Sequence, residues 1–302
     1  MPDFDNYMKN NKKKLKKKIR KGIPDSLRGE VWMKISGTQK MREGRESFYN
    51  ELINNIKEFD IIKIPDEHII IRDMHRTFPK CLKYKNRLGD GQRELFRVLC
   101  CFSMKNKKVG YVQGMSFLVG VFLSYETEEK TFWLLENVMK NYHLRELYYS
   151  GFPGLKKNFF VFLKYMKKLL PDIYRKLSRN NIYPLLYACS WYITCFTDTL
   201  PFKAVVRIID CFLMEGNKIL LRFSLGILAM KENEILSRKN NSEIMILMKT
   251  LAENIDVDKL FKKSFEFSIS KKKILKYENL YKDYISGRKT GDEDIMSQIN
   301  IE

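Results

Sequence analysis

Apolar residues recur at three- and four-residue spacing along most of this chain, and that period decides the fold class. Leu95, Val98, Leu99 and Phe102 fall on one face of a helix expected over Gln92 to Met104, with Asp90 as its cap. Phe132, Leu135, Val138 and Met139 do the same over Glu128 to Met139. Leu27, Val31 and Ile35, with Trp32 beside them, predict a helix that Pro24 opens, Asp25 or Ser26 caps and Gly37 ends. Phe48, Leu52, Ile56 and Phe59 predict another over Glu43 to Ile62. Met115 to Leu123 is apolar almost all round, the mark of a central, buried helix. Further helices are expected over Leu155 to Leu170, Ile182 to Phe196, Ala204 to Met214, Leu220 to Met230, Ser242 to Leu251, Asp256 to Phe267 and Lys271 to Tyr284. Only 15 Gly and 8 Pro punctuate the 302 residues, and strand-like alternation is scarce. The expected fold class is therefore all-α.

The periodic body runs from Gly22 to about Tyr284 without an internal repeat. Residues 1–21 form a basic N-terminal arm, and residues 285–302 a polar tail without periodicity, expected to be disordered. Lys9 to Lys21 is basic except at Asn10, Asn11, Leu15 and Ile19. The arm reads first as solvated and frayed, then as attracted to an anionic membrane surface, then as a nuclear import signal. The net charge of +20, from 56 Lys and Arg against 36 Asp and Glu, favours anionic surfaces or reflects a lysine-rich composition throughout.

Several function classes fall away. The six cysteines form no Cys-x-x-Cys pair, sit largely in apolar runs, and read as small buried residues rather than disulfides. The three histidines do not cluster with them, so no metal site is expected. No apolar run reaches the ~18 residues a membrane span needs, and the N-terminus lacks a signal-peptide pattern. The aromatics fall on apolar helix faces rather than among exposed basic residues, which argues against a specific nucleic-acid surface.

Two short stretches carry the chemistry. Ile70-Ile71-Arg72-Asp73-Met74-His75-Arg76-Thr77-Phe78-Pro79 places Arg76 just before a chain reversal, one helical turn from Asp73. Gly110-Tyr111-Val112-Gln113-Gly114-Met115 places Gln113 between two glycines, ahead of the apolar helix. Arginine is permanently cationic and can offset charge on a phosphoryl group in transfer. Glutamine donates and accepts at once, and can hold a water in line. Neither is a good nucleophile or base, so any substrate must bring its own phosphate and metal. Singly, each residue reads as ordinary: Arg76 as a surface arginine paired to Asp73, Gln113 as a helix-start amide bonded to backbone.

In this order and over more than two hundred residues, the motifs resemble the TBC domain, the GTPase-activating module for Rab-family small GTPases. Gly22-Ile23-Pro24, Leu27-Arg28 and Val31-Trp32 look like its opening motif. Ile70, Asp73 and Arg76 match I-x-x-D-x-x-R, and Tyr111, Gln113, Gly114 and Met115 match Y-x-Q-G-M. Trp191, Phe196, Pro201, Arg207, Asp210, Glu215 and Gly216 follow its later pattern. The resemblance implies one large multi-helix domain of two helical lobes over residues 22–284. It implies that Arg76 is an arginine finger and Gln113 a glutamine finger, both offered in trans. Asp73 would orient the arginine loop, and Tyr111 and Gly114 would shape the glutamine loop. The partner would be a Rab-family GTPase in its GTP form, bringing its own GTP and Mg²⁺, so this chain needs no cofactor and hydrolyses nothing alone. A cytoplasmic location, peripheral on endomembranes, and a role in vesicle trafficking follow from the same resemblance. The competing reading is a non-catalytic Rab-binding scaffold or effector. Ser116, Ile209 and Lys108 depart from the usual asparagine, tryptophan and proline, all away from the two fingers.

Overall fold

The structure is a computed structural model that describes residues 4–58 and 66–299. Helices account for its regular structure, and the described residues contain no strand. In chain order they are α1 (Phe4–Lys21), α2 (Asp25–Ile35), α3 (Thr38–Arg42), α4 (Phe48–Glu58), α5 (Glu67–Arg76), α6 (Asp90–Lys105), α7 (Met115–Leu123), α8 (Glu128–Asn141) and α9 (Arg145–Tyr148). Then come α10 (Pro153–Leu169), α11 (Pro171–Arg179), α12 (Pro184–Tyr187), α13 (Cys189–Ile193), α14 (Phe202–Glu215) and α15 (Lys218–Met230). The chain ends with α16 (Glu232–Ser237), α17 (Asn241–Thr250), α18 (Val257–Glu266), α19 (Lys271–Ile285) and α20 (Glu293–Met296). They gather into two compact units: Met1–Tyr149 with Val205–Gly216, and Ser150–Ala204 with Asn217–Glu302. No helix among the described residues is long and apolar enough to cross a membrane.

In the first unit α6 is the hub, packed by α4, α5, α7 and α8. Leu95, Val98, Leu99 and Phe102 are fully buried along it, as their spacing requires. Its first residue is Asp90 and its cap is Gly89, one position earlier than expected. Helix α7 is buried at every position except Phe117, which is half-buried. Helix α8 runs two residues past the expected Met139.

Helix α2 turns a different face inward than its aliphatic residues suggest. Leu27 is half exposed, whereas Arg28, Gly29, Trp32, Met33 and Ile35 are buried. The reason is a polar target. The buried Asp210 carboxylate accepts from Trp32 Nε1 at 2.7 Å, Arg28 Nε at 3.1 Å and the Ile23 amide at 3.2 Å. Gly29 permits the approach, because a Cβ there would lie 2.3 Å from the Tyr125 carbonyl oxygen. Burial pushes the Asp210 carboxyl above its ordinary range, with Arg28 and Trp32 pulling it back.

Two expectations about the ends of this unit also change. Residues 4–21 form a helix with a break at Asn11, not a frayed arm. Ile19 is buried, and Glu215, itself 4% exposed, takes Arg20 Nε at 2.6 Å and Lys16 Nζ at 2.6 Å. The helix expected from Glu43 begins only at Phe48, after turns over Glu43 to Ser47. Its expected end, with Phe59, lies outside the described residues.

In the second unit α15 packs on α18 and α10 on α19. Phe223 and Phe261 meet at 4.7 Å between ring centres. Arg222, the buried charge of α15, donates from Nη1 to the carbonyls of Ser264 at 2.9 Å and Phe267 at 2.7 Å. The helix expected from Ile182 to Phe196 is broken into α12 and α13 at Ala188. It then ends in left-handed turns at Cys195 and Phe196, which bury both side chains. Trp191 stacks on Phe196 at 6.1 Å. Phe152, with φ 50°, caps α10, and Pro153 occupies its first turn, so the helix starts two residues before the expected Leu155.

The tail is ordered, not disordered, over its described residues, 285–299. Ile295 and Ile299 are buried, and Lys164 of α10 holds Asp292 at 2.8 Å. Asp294 takes Lys167 Nζ and the Tyr174 hydroxyl, each at 2.7 Å. A polar sequence here is a set of partners for the lysines of α10, which hydropathy alone does not reveal.

Candidate functional site

The site begins with a buried charge. Asp73, on the inner face of α5, has no exposed surface. A carboxylate in that position must be fully hydrogen-bonded to be tolerated. Its Oδ1 accepts from Arg76 Nε at 2.9 Å, one helical turn on. Its Oδ2 accepts from the Tyr111 hydroxyl at 2.6 Å and from the Gly114 amide at 3.2 Å. One carboxylate thus ties the arginine of α5 to the loop that carries the glutamine. Burial, then the bond to Asp73, holds the Tyr111 phenol far above its ordinary range, so it stays a proton donor.

The two side chains of interest stand outside this buried anchor. Arg76 and Gln113 are both exposed. A guanidinium only donates, so the Gln113 amide turns its oxygen towards it, 2.6 Å from Nη2 and 2.9 Å from Nη1. The Arg76 guanidinium also lies 5.9 Å from the centre of the Phe117 ring. A fixed cation and an amide therefore share one surface, set on a rigid base.

The backbone is shaped to present them. Gly110 and Gly114 have φ of 61° and 101°, the left-handed region where glycine is favoured. Gly110 also lies against Asp66, and a Cβ there would sit 2.7 Å from Oδ2. Arg76 is the last residue of α5, and the chain turns away at Thr77 and Phe78. Phe78 has φ 47°, and its ring lies over Gly120 of α7, where a Cβ would be 3.1 Å away.

All five residues marked by the motifs, Asp73, Arg76, Tyr111, Gln113 and Gly114, come together here. Two further links went unmarked. Asp66 Oδ2 accepts from the Tyr111 amide at 2.7 Å and from Ser103 Oγ at 2.9 Å, fixing the start of the glutamine loop. Asp66 lies outside both motifs. The buried hydroxyls of Thr77 and Ser116 lie 2.8 Å apart and join the end of α5 to the start of α7. Ser116 stands where the family usually has asparagine, and here its hydroxyl makes this link. Among the described residues no three His, Cys, Asp or Glu side chains come together to hold a metal.

This geometry coincides with similarity to known proteins. The family model described as the Rab-GTPase-TBC domain matches residues 25–236. The chain is 31% identical to the Rab GTPase-activating protein tbc-11 of Caenorhabditis elegans, over 89% of this chain and 29% of that protein. It is 29% identical to the human ecotropic viral integration site 5 protein homolog, over 92% and 34%. It thus spans about a third of the length of these relatives. Growth hormone-regulated TBC protein 1 of Xenopus tropicalis is 33% identical over 76% of this chain and 67% of its own. Among solved structures, the Chlamydomonas flagellar RabGAP TBC domain superposes with a TM-score of 0.75 at 28% identity, covering 88% and 90% of the two chains.

Proposed function

This chain belongs to the Rab-GTPase-TBC domain family, and from that membership we propose that it accelerates GTP hydrolysis on a Rab-family GTPase by lending it Arg76 and Gln113. The observation that carries the reading is the exposed Arg76–Gln113 pair seated on the buried Asp73. The partner supplies GTP and Mg²⁺. Arg76 offsets the charge that develops between the β- and γ-phosphates. Gln113 orients the attacking water with its amide oxygen and nitrogen. Arginine insertion is worth about 10³ to 10⁵ in rate for small GTPases generally. Asp73, Tyr111 and Gly114 act through the two fingers, by position rather than by contact with the nucleotide. Control of vesicle traffic is the role this activity would serve.

The test is phosphate release from a panel of GTP-loaded Rab proteins. The expected result is that one or a few Rabs respond to the wild type. In Arg76→Ala and Gln113→Ala that response falls by orders of magnitude while the complex still forms. Binding of GTP-loaded Rab without acceleration would instead make the protein a scaffold or effector.

A second reading concerns where the protein works. Lys13, Lys17 and Lys21 lie four apart on α1 beyond its break at Asn11 and are all exposed. Such a stripe is attracted to anionic headgroups by about 1 kcal/mol per lysine. Co-sedimentation with phosphatidylserine vesicles, weakened by salt and by Lys13→Glu with Lys17→Glu, is the expected behaviour. Equal sedimentation of this variant would remove the reading.

A further inference from the structure

Eight of the nine residues of α7 are buried, and the exception is Phe117, in the first turn. Core filling accounts for the eight. It does not account for a ring left half in water, with the Arg76 guanidinium carbon 5.9 Å from its centre. Phe117 stands two residues beyond the motif that carries Gln113, and neither motif marks it.

Three groups restrain the Arg76 guanidinium, and each takes a different part of it. Asp73 Oδ1 accepts from Nε at 2.9 Å, along one edge. The Gln113 oxygen accepts from Nη2 at 2.6 Å and from Nη1 at 2.9 Å, along another. The Phe117 ring lies against the face. Bonds at two edges of a plane leave its tilt about the line between them free, and a contact on the face removes that freedom. An arginine that turns to a phosphoryl group must surrender the Gln113 edge, because the buried Asp73 keeps the Nε edge. Asp73 is then a single pivot. Among the described residues, the ring is the contact that still sets the plane.

The ring is itself held. Phe78, whose own ring lies over Gly120, meets Phe117 edge-to-face at 5.7 Å and 89°. Tyr84 backs Phe78 at 6.2 Å between ring centres. Tyr84 is fully buried, and its hydroxyl donates to the Gly120 carbonyl at 2.7 Å. The attraction of a guanidinium to such a face comes from the ring quadrupole, so an aliphatic side chain does not replace it.

We propose that Phe117 is a positioning residue, whose ring holds the plane of Arg76 while the Nη edge passes from Gln113 to the phosphate of a bound nucleotide. The inference rests on the proposed action on a GTPase. It gives Phe117 no contact with the nucleotide. An apolar contact between Phe117 and the GTPase would behave differently, because leucine would largely serve for it and Arg76 would not matter to it.

The test has two readouts. The first is the Arg76 Nε–Hε signal of the free protein, labelled with ¹⁵N-arginine and assigned by its loss in Arg76→Lys. Its ring-current displacement should persist in Gln113→Ala, where the Nη edge is free. Phe117→Leu should remove it and Phe117→Tyr keep it. The second is single-turnover hydrolysis on the responsive Rab. Phe117→Leu should lower kcat about three- to tenfold with KM within about twofold, and Phe117→Tyr should restore kcat to within about twofold of the wild type. Added to Arg76→Ala, Phe117→Leu should cost less than about twofold more, since the ring then has no guanidinium to hold. Unchanged thermal unfolding of Phe117→Leu separates lost positioning from lost fold. With an active wild type, three results would each overturn the positioning role and leave the action on the GTPase standing. They are a displacement that survives Phe117→Leu, an undiminished loss in the Arg76→Ala background, and a raised KM at unchanged kcat. A wild type that accelerates no GTPase would overturn that action and the role resting on it.

Discussion

Gln113 holds Arg76 in the unbound protein, its amide oxygen 2.6 Å from Nη2 and 2.9 Å from Nη1. The contact is neutral on one side and exposed, so it gives way readily to a stronger acceptor. A phosphate offers charge-assisted bonds that an amide cannot match. On the proposed function, this pairing is exchanged for one with the phosphate on docking.

Gln113→Glu tests that exchange. A carboxylate at this position pairs with Arg76 and competes with the phosphate for it, and it cannot donate to a water. Stimulated hydrolysis should fall at least as far as in Gln113→Ala. Single-turnover GTP hydrolysis on the responsive Rab, compared between the two variants, measures this. A glutamate variant more active than the alanine variant would show that the pair does not compete with substrate.

Tyr111→Phe removes the hydroxyl that meets Asp73 Oδ2 at 2.6 Å. It leaves a buried carboxylate short of one donor, at a cost of about 1–3 kcal/mol. The loss should appear in urea unfolding as a lower midpoint. In the kinetics it should lower kcat more than it raises KM, because the finger loops lose their common anchor while the docking face is untouched.

Asp210→Asn should destabilise the protein more severely. Asparagine offers one acceptor oxygen to three donors and turns an NH₂ towards Trp32 or Arg28. It also takes from Arg28, 5% exposed, its buried counter-charge and leaves only the exposed Asp25. Breaking a buried pair this way typically costs about 3–5 kcal/mol. Chemical denaturation should show the shift, although Asp210 has no part in the proposed chemistry.

The tail should respond to acid. Burial pushes the Asp294 carboxyl up, but Lys167 and Tyr174 outweigh it and hold it below its ordinary value of 3.8. A depressed carboxylate stabilises the state in which it is ionised. The contribution is complete above the unfolded-state value and is lost as pH falls through the folded one. Amide exchange in α20 should therefore accelerate below about pH 4, before the rest of the second unit opens. Ile295→Ala should produce the same local exchange at neutral pH.

What could be read from the sequence follows from what each residue type announces. Helices α6, α7 and α8 were legible because their cores are aliphatic and aromatic at a regular period. The cluster of candidate residues was legible because Asp73 with Arg76, and Tyr111 with Gln113 and Gly114, sit within short local motifs. Helix α2 was misjudged because its inward face is set by a carboxylate 182 residues away from Arg28, so Leu27 yielded to an arginine. The break between α12 and α13 was missed because apolar content does not distinguish a buried helix from a buried turn. Asp66 and the Thr77–Ser116 link are contacts between distant segments, and nothing local in the chain marks them.

Asp210 also has a temporal consequence. The first compact unit is discontinuous: Val205–Gly216 completes what Met1–Tyr149 begins. On the ribosome, Arg28 and Trp32 emerge long before the carboxylate that receives them has been translated. Until then the Trp32 indole has no native acceptor, and the Arg28 guanidinium has only Asp25 and the Ile23 carbonyl. Domains generally fold as units during synthesis, and here the first such unit must wait for the intervening segment of the other. The nascent chain is thus exposed to chaperones and proteases over that interval, and a fragment ending at Tyr149 would carry Arg76 and Gln113 without the carboxylate that receives Arg28 and Trp32.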